Sequence, residues 1–253
     1  YPYNRNLLVN AGPGAGKTLV LMGRAAHLIQ LQGLQPEQIL ILAFNRAVVH
    51  EIRSRIRDLF DRLGYGAYVR RLQVYTFHAF ALKHMGRIER EQETNESESE
   101  IGEVLQMFVQ KCTAEPGFAQ EVSRGVRAIL VDEFQDMNDD LYAFLISLQK
   151  ASRAGLMVIG DDDQDILRWN RSGKGKVEAR TYFERLKEDK ELEPEVVDLS
   201  VNFRSDEELV ERSQNFIDKF LCGVSTRIKQ NTRLRSKTGV GQGILEQVRT
   251  PTI

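Results

Sequence analysis

Two periods run through this chain. Short, unbroken apolar runs such as Ile39-Leu40-Ile41-Leu42 alternate with longer stretches in which apolar residues return every three or four positions. An unbroken run is what a strand covered on both faces requires, and the longer spacing is that of a helix with one buried side. Strands are therefore predicted at Leu7–Asn10, Ile39–Ala43, Leu72–Tyr75, Ala128–Val131, Leu156–Ile159 and Val196–Leu199, with helices near 18–31, 46–62, 77–86, 139–151, 176–188 and 206–221. Strands and helices in strict alternation imply an α/β fold, a mostly parallel sheet flanked by helices.

One interval breaks the rhythm. From Glu89 to Glu100 there are six glutamates and one arginine, a composition that belongs on a solvated helix face or in a loop. Ile101, Val104, Leu105 and Phe108 then resume helical spacing, so residues 84–126 read as a helical insertion into the α/β core. Beyond Leu221 the chain turns basic, with Arg227, Lys229, Arg233, Arg235 and Lys237.

Composition narrows the possibilities without choosing among them. The 253 residues suffice for one sizeable core. Lys and Arg number 35 against 36 Asp and Glu, so a nucleic-acid site has to be a local groove rather than a global basic field. Cys112 and Cys222 match no metal-ligand spacing and are too few for a disulfide framework, which points to a reducing, cytoplasmic setting. No apolar run approaches the roughly 18 residues a membrane span needs.

The chemistry begins after the first strand, at Ala11-Gly12-Pro13-Gly14-Ala15-Gly16-Lys17-Thr18. With Ala11 in the place of a leading glycine this is the A-x-x-x-x-G-K-T form of the phosphate-binding loop. Glycines let backbone N–H groups converge on phosphate oxygens, and the helix that follows adds the positive end of its dipole. Lys17 is placed for the β- and γ-phosphates and Thr18 for Mg²⁺. A second station is Ile129-Leu130-Val131-Asp132-Glu133, a strand ending in two carboxylates at the sheet edge where α/β proteins bind ligands. Asp132 suits Mg²⁺ and Glu133 the polarisation of an attacking water; alone, the pair would equally serve as a helix cap.

The string continues as Asp132-Glu133-Phe134-Gln135-Asp136, which closely resembles motif II of the UvrD/Rep group of superfamily 1 helicases. Other segments resemble that family's motifs in the same order. They are Ile41 to Ala47 (motif Ia), Tyr75 to Phe80 (Ib), Val158 to Ile166 with Arg168-Trp169 (III), and Leu199 to Ser205 (IV). The resemblance implies a RecA-like ATP-binding lobe formed by residues 1–83 and 127–198, with 84–126 inserted and 199–253 opening a second such lobe. It also implies ATP and Mg²⁺ as cofactors. Single-stranded DNA, or a duplex with a single-stranded tail, would be the partner, alongside DNA-repair proteins, and movement would run 3′ to 5′. Residue by residue, Gln164 and Arg204 would sense the γ-phosphate, Gln135 and Asp136 would pass the nucleotide state toward motif III, and Trp169 would stack on a base. Phe44, Asn45, Thr76, Phe77 and His78 would lie along the DNA.

Blander roles compete for several of these. Phe44, Phe77 and Trp169 could be core residues, His78 an ordinary hydrogen-bonded histidine, and Arg53 with Arg57 a solvated helix face. The sequence departs from the family pattern by a missing residue between Phe44 and Asn45, and by Asn170-Arg171-Ser172 after Trp169. The chain reads as a piece of a longer protein, because the family's adenine-reading segment and its motifs V and VI have no counterpart here; slow ATP turnover by the piece alone is the corresponding expectation. Two other functions stay open: the motor part of a helicase–nuclease, and a nucleotide-gated DNA-binding module without turnover.

Overall fold

The structure is a computed structural model that describes residues 1–86, 98–164, 179–220 and 235–236. Six strands form one sheet: β1 (Leu7–Ala11), β2 (Ile39–Ala43), β3 (Gln73–Thr76), β4 (Ala128–Val131), β5 (Gly155–Gly160) and β6 (Glu195–Leu199). Their order is β3-β2-β4-β5-β1-β6, and every pair is parallel. The fold is thus the expected α/β arrangement of P-loop type, with all six strands where the apolar runs place them. Only β3 is shifted, by one residue, because a 3-10 turn at Gly66–Arg71 continues up to Leu72.

Each residue of β1, β2, β4 and β5 is buried, as unbroken apolar runs require. Alternate side chains point to opposite faces and build two cores. On one face, Leu7, Val9, Ile39, Ile41, Leu130 and Ile159 meet α1 (Lys17–Gln30) and α2 (Arg46–Arg62). On the other, Leu8, Leu40, Leu42, Ile129, Val131 and Val158 are covered by α3 (Phe77–His84), α4 (Glu98–Ala114), α5 (Pro116–Val122), α6 (Asp139–Ser152) and α7 (Ala179–Lys187). Phe144 anchors this second core, with ring centroids of Phe77, Phe80 and Phe108 at 5.6, 6.0 and 4.6 Å.

The described part of the 84–126 interval is helical. Its apolar positions Val104, Leu105, Phe108, Cys112, Ala119 and Val122 belong to the same core as Phe80 and Phe144. Residues 87–97, which include most of the glutamate-rich block, lie outside the described residues. So does the basic stretch after Leu221, apart from the short strand β8 (Arg235–Ser236), which pairs in parallel with β7 (Val201–Asn202) beside α8 (Glu207–Phe220). Among the described residues no helix is long and apolar enough to cross a membrane.

All six strands of the main sheet run the same way, so their carboxyl ends form one edge. Ala11, Ala43, Thr76, Val131 and Gly160 all deliver the chain to that edge, and every sequence-predicted site residue in the described part lies on or just beyond it.

Candidate nucleotide site

The loop from Gly12 to Gly16 leaves β1 and turns into α1 through two residues in the left-handed region, Gly14 at φ 69° and Gly16 at φ 81°. Residues with a Cβ rarely adopt that conformation, so glycine is the residue the turn demands. Gly14 has a second reason. A Cβ there would come within 2.6 Å of the Asn202 side chain. Gly16 is the N-cap of α1 and has no side chain with which to cap it, so the first N–H groups of the helix remain available to an anion.

The segment after β6 clasps this loop. Asn202 is buried; its Nδ2 donates to the Pro13 carbonyl at 2.7 Å, and its Oδ1 accepts from the backbone N–H groups of Arg204 and Ser205, both at 2.8 Å. Phe203 N donates to Gly14 O at 2.9 Å, and Gly12 N to Leu199 O at 3.3 Å. Arg204, expected to approach the γ-phosphate, is exposed and adjoins the residue that touches Gly14. Asn202 lies inside the motif-IV-like segment, and nothing in the local sequence signals this role. Its partner Pro13 is 189 positions away, and only the closed sheet brings them together.

Lys17 begins α1, and its Nζ lies 3.6 Å from Oε2 of Glu133, which enters from the end of β4. Glu133 has φ 50°, an uncommon conformation for a residue with a Cβ and of the strained kind found at functional sites. Beside it, Asp132 is 1% exposed. Burial, then the neighbouring Glu133 charge, pushes the Asp132 carboxyl up to about 6, against the Glu133 N–H, the Thr18 hydroxyl and Lys17, which favour the charged form. Oδ1 of Asp132 accepts from Glu133 N at 3.0 Å, whereas the buried Oδ2 has no hydrogen-bond partner among the described residues. A buried carboxylate oxygen lacking a donor, with a hydroxyl alongside, is a donor set that fits a hard cation such as Mg²⁺.

A chain of polar contacts leads away from this point. Gln135 Nε2 donates to Glu133 Oε2 at 2.6 Å, and Gln135 Oε1 accepts from Asp161 N at 3.0 Å. Gln164 Nε2 then donates to Asp161 Oδ2 at 2.7 Å. The path Lys17–Glu133–Gln135–Asp161–Gln164 joins the ends of β1, β4 and β5. Gly160 is needed beneath it, because a Cβ there would meet Gln135 Oε1 at 2.7 Å and Phe183 at 2.9 Å. The three side chains Asp161, Asp162 and Asp163 lie together, but Asp161 is engaged with Asp163 N at 3.1 Å and with Gln164, so it serves to shape the turn.

The remaining predicted residues gather at the ends of β2 and β3. Phe44 is half-buried, with its ring centroid 5.4 Å from that of Phe77. Phe77 itself is 2% exposed and packs on Phe144 as well, so its ring supports Phe44 from beneath. Asn45 and Thr76 are helix N-caps: Asn45 Oδ1 accepts from Val48 N at 2.9 Å and Thr76 Oγ1 from Ala79 N at 3.0 Å. His78 is half-buried beside them. Trp169 and Arg168 lie outside the described residues. Since β2 adjoins β4 at a strand spacing of about 4.8 Å, this cluster begins one strand away from Glu133.

A glycine loop opening a helix after the first strand, Lys17 facing Glu133, and a buried Asp132 at the end of a parallel strand define a P-loop nucleotide-binding protein. The chain belongs to the UvrD/REP helicase N-terminal domain family, whose model matches residues 1–104 and 89–181. It is 36% identical over 87 residues to the ATP-dependent DNA helicase SRS2 of Saccharomyces cerevisiae, a match covering 34% of this chain and 7% of that protein. It is 46% identical over 77 residues to DNA helicase IV of Escherichia coli, covering 30% and 10% respectively. The crystal structure of the Pif1 helicase from Candida albicans aligns over 85% of this chain and 40% of that one, with TM-score 0.48 and 13% identity. The chain thus spans less than half the length of each of these proteins.

Proposed function

We propose that this chain is the ATP-binding lobe of a DNA helicase, binding ATP–Mg²⁺ and single-stranded DNA and coupling hydrolysis to 3′–5′ movement in the complete protein. The observation that carries the reading is the unbroken polar path from Lys17 through Glu133, Gln135 and Asp161 to Gln164. It runs from the phosphate loop along the edge that also bears Phe44 and His78. The two relatives named above are DNA helicases, which agrees with it.

In this reading the backbone N–H groups of residues 12–18 hold the phosphates and Lys17 neutralises the β- and γ-oxygens. Thr18 and Asp132 would hold Mg²⁺, which supplies positive charge to the transferring phosphoryl group. Glu133, oriented by Gln135, accepts a proton from the water whose oxygen attacks the γ-phosphorus as the bond to ADP breaks. Arg204 brings a guanidinium to the same phosphate, a fork geometry suited to its oxygens. Any change in Glu133 on hydrolysis is felt by Gln135 and hence by the turn carrying Gln164. Residues 1–83 and 127–198 form the lobe in this proposal, 84–126 is a helical insertion that shares its core, and 199–253 opens the second lobe. Phe44, Asn45, Thr76, His78 and Trp169 face the DNA, with Phe77 as the support under Phe44.

Steady-state ATP hydrolysis with and without oligo-dT, beside Glu133→Gln, is the test. Turnover stimulated by the oligonucleotide and abolished by the substitution is the expected result. A Glu133→Gln variant with undiminished DNA-stimulated turnover would overturn the assignment. Nucleotide-gated DNA binding without turnover in the complete protein would make it a binding module instead.

A further inference from the structure

Beyond the free edge of β3 lies a cleft of about 670 Å³, walled by α2 on one side and the Gly66–Arg71 turn on the other. Arg53, Arg57 and Arg70 line it, with Asp61 as its acidic group and Tyr75 at its rim. The three guanidiniums come from two elements. Arg53 is partly engaged, donating from Nη2 to the Val74 carbonyl at 2.6 Å and so blunting the exposed strand edge. Arg57 and Arg70 have no hydrogen-bonded or ion-paired partner among the described residues. Their neighbours on the same surface do: Arg55 pairs with Glu51 at 2.6 Å, and Arg71 with Glu37.

Arg55 and Arg71 are neutralised within the fold, whereas Arg57 and Arg70, like Arg46 and Arg62, have no such partner among the described residues. What sets Arg57 and Arg70 apart is that they line one cleft from two different elements. The lining carries three positive groups against one negative in a chain whose net charge is −1, so it is a local basic groove. Asp61 is folded against Gly66, where any Cβ would collide with its carboxylate. The cleft also continues the surface assigned to DNA, since Tyr75 directly precedes Thr76, Phe77 and His78. Lys83 Nζ sits 4.7 Å over the Tyr75 ring and 2.8 Å from its hydroxyl, adding a cation at the junction.

We infer that this cleft is a second anion site that holds backbone phosphates of the same DNA strand after it passes the β3 edge, with Arg57 and Arg70 as the contacting groups. The inference rests on the DNA-binding reading above. It makes the β3 edge part of the DNA track rather than its boundary, so oligonucleotides long enough to reach past Tyr75 gain contacts that short ones cannot make.

The test is salt-dependent binding of fluorescein-labelled oligo-dT, about 8 and about 20 nucleotides long, to the full chain carrying Arg57→Ala/Arg70→Ala. Losing two phosphate contacts lowers the slope of log K against log salt by about 1.4 for a single strand. The wild-type advantage on the long oligonucleotide therefore shrinks about 7-fold between 50 and 200 mM salt, while the short one binds both proteins alike. Arg55→Ala/Arg62→Ala, of equal net charge but outside the cleft, should leave the slope unchanged. Equal slopes for wild type and the cleft variant would overturn the inference and leave the DNA-binding reading standing. No oligo-dT binding by wild type would remove both. Loss of affinity in both double variants alike would assign the effect to bulk charge. Capture of a polyglutamate peptide by the cleft, with DNA binding independent of length, would assign it to an acidic protein partner.

Discussion

Asp132→Asn is the most informative single change, because the structure gives it a sign as well as a size. The Asp132 carboxyl is raised from 3.8 to about 6, chiefly by burial and then by the Glu133 charge. A carboxyl whose folded pKa lies above its unfolded value makes the folded state bind the proton more tightly, so stability falls as pH rises through that window and is flat above it. The full cost at neutral pH is about 3 kcal/mol, from 2.2 pKa units at 1.36 kcal/mol each. Roughly half of it is already present at pH 5, so the other half develops between pH 5 and 7.5. Asparagine keeps the shape and removes the charge. In the absence of nucleotide and metal, the variant should therefore be more stable than wild type at pH 7.5, with the gap narrowing as pH falls. Urea unfolding at several pH values measures this directly; in thermal unfolding the gap amounts to about 2–4 °C per kcal/mol for a chain of this size. Addition of ATP and Mg²⁺ should stabilise wild type and not the variant. A variant less stable than wild type at pH 7.5, or a gap independent of pH, would refute the reasoning that Asp132 is a buried charge awaiting a cation.

Further expectations follow from the same site and from the core. Glu133→Gln should lower kcat by about 10²–10⁴ with ATP affinity retained, measured by turnover beside fluorescent-nucleotide binding. Asn202→Ala strands the N–H groups of Arg204 and Ser205 and releases the Pro13 carbonyl. It should cost about 1–3 kcal/mol in unfolding experiments and weaken nucleotide binding; unchanged affinity would show that the clasp does not shape the loop. Phe144→Ala, at the centre of three other aromatic rings, should cost about 3–5 kcal/mol in the same assay without altering ATP affinity beyond its effect on folding.

Much of this architecture is legible without coordinates, and for a local reason. A strand covered on both faces has to be apolar at every position, so Ile39 to Leu42 and Ile129 to Val131 announce themselves. The phosphate loop is equally local: positive φ at Gly14 and Gly16, a helix start, then lysine and threonine are all properties of neighbouring residues. What neighbours cannot specify is which strand lies beside which, and the decisive facts depend on that. The place of β1 between β5 and β6 brings Asn202 against Pro13 and Gly14. The adjacency of β4 and β5 sets Gln135 between Glu133 and Asp161. Phe77 is a site candidate by motif, yet its ring turns inward, because α3 begins at that residue and must bury its first side chain against Phe144. Arg57 reads as one more solvated charge on α2 until the Gly66–Arg71 turn folds back and places Arg70 opposite it. Element identity and phosphate chemistry follow from short-range pattern, whereas the coupling between stations rests on contacts that exist only after the sheet has closed.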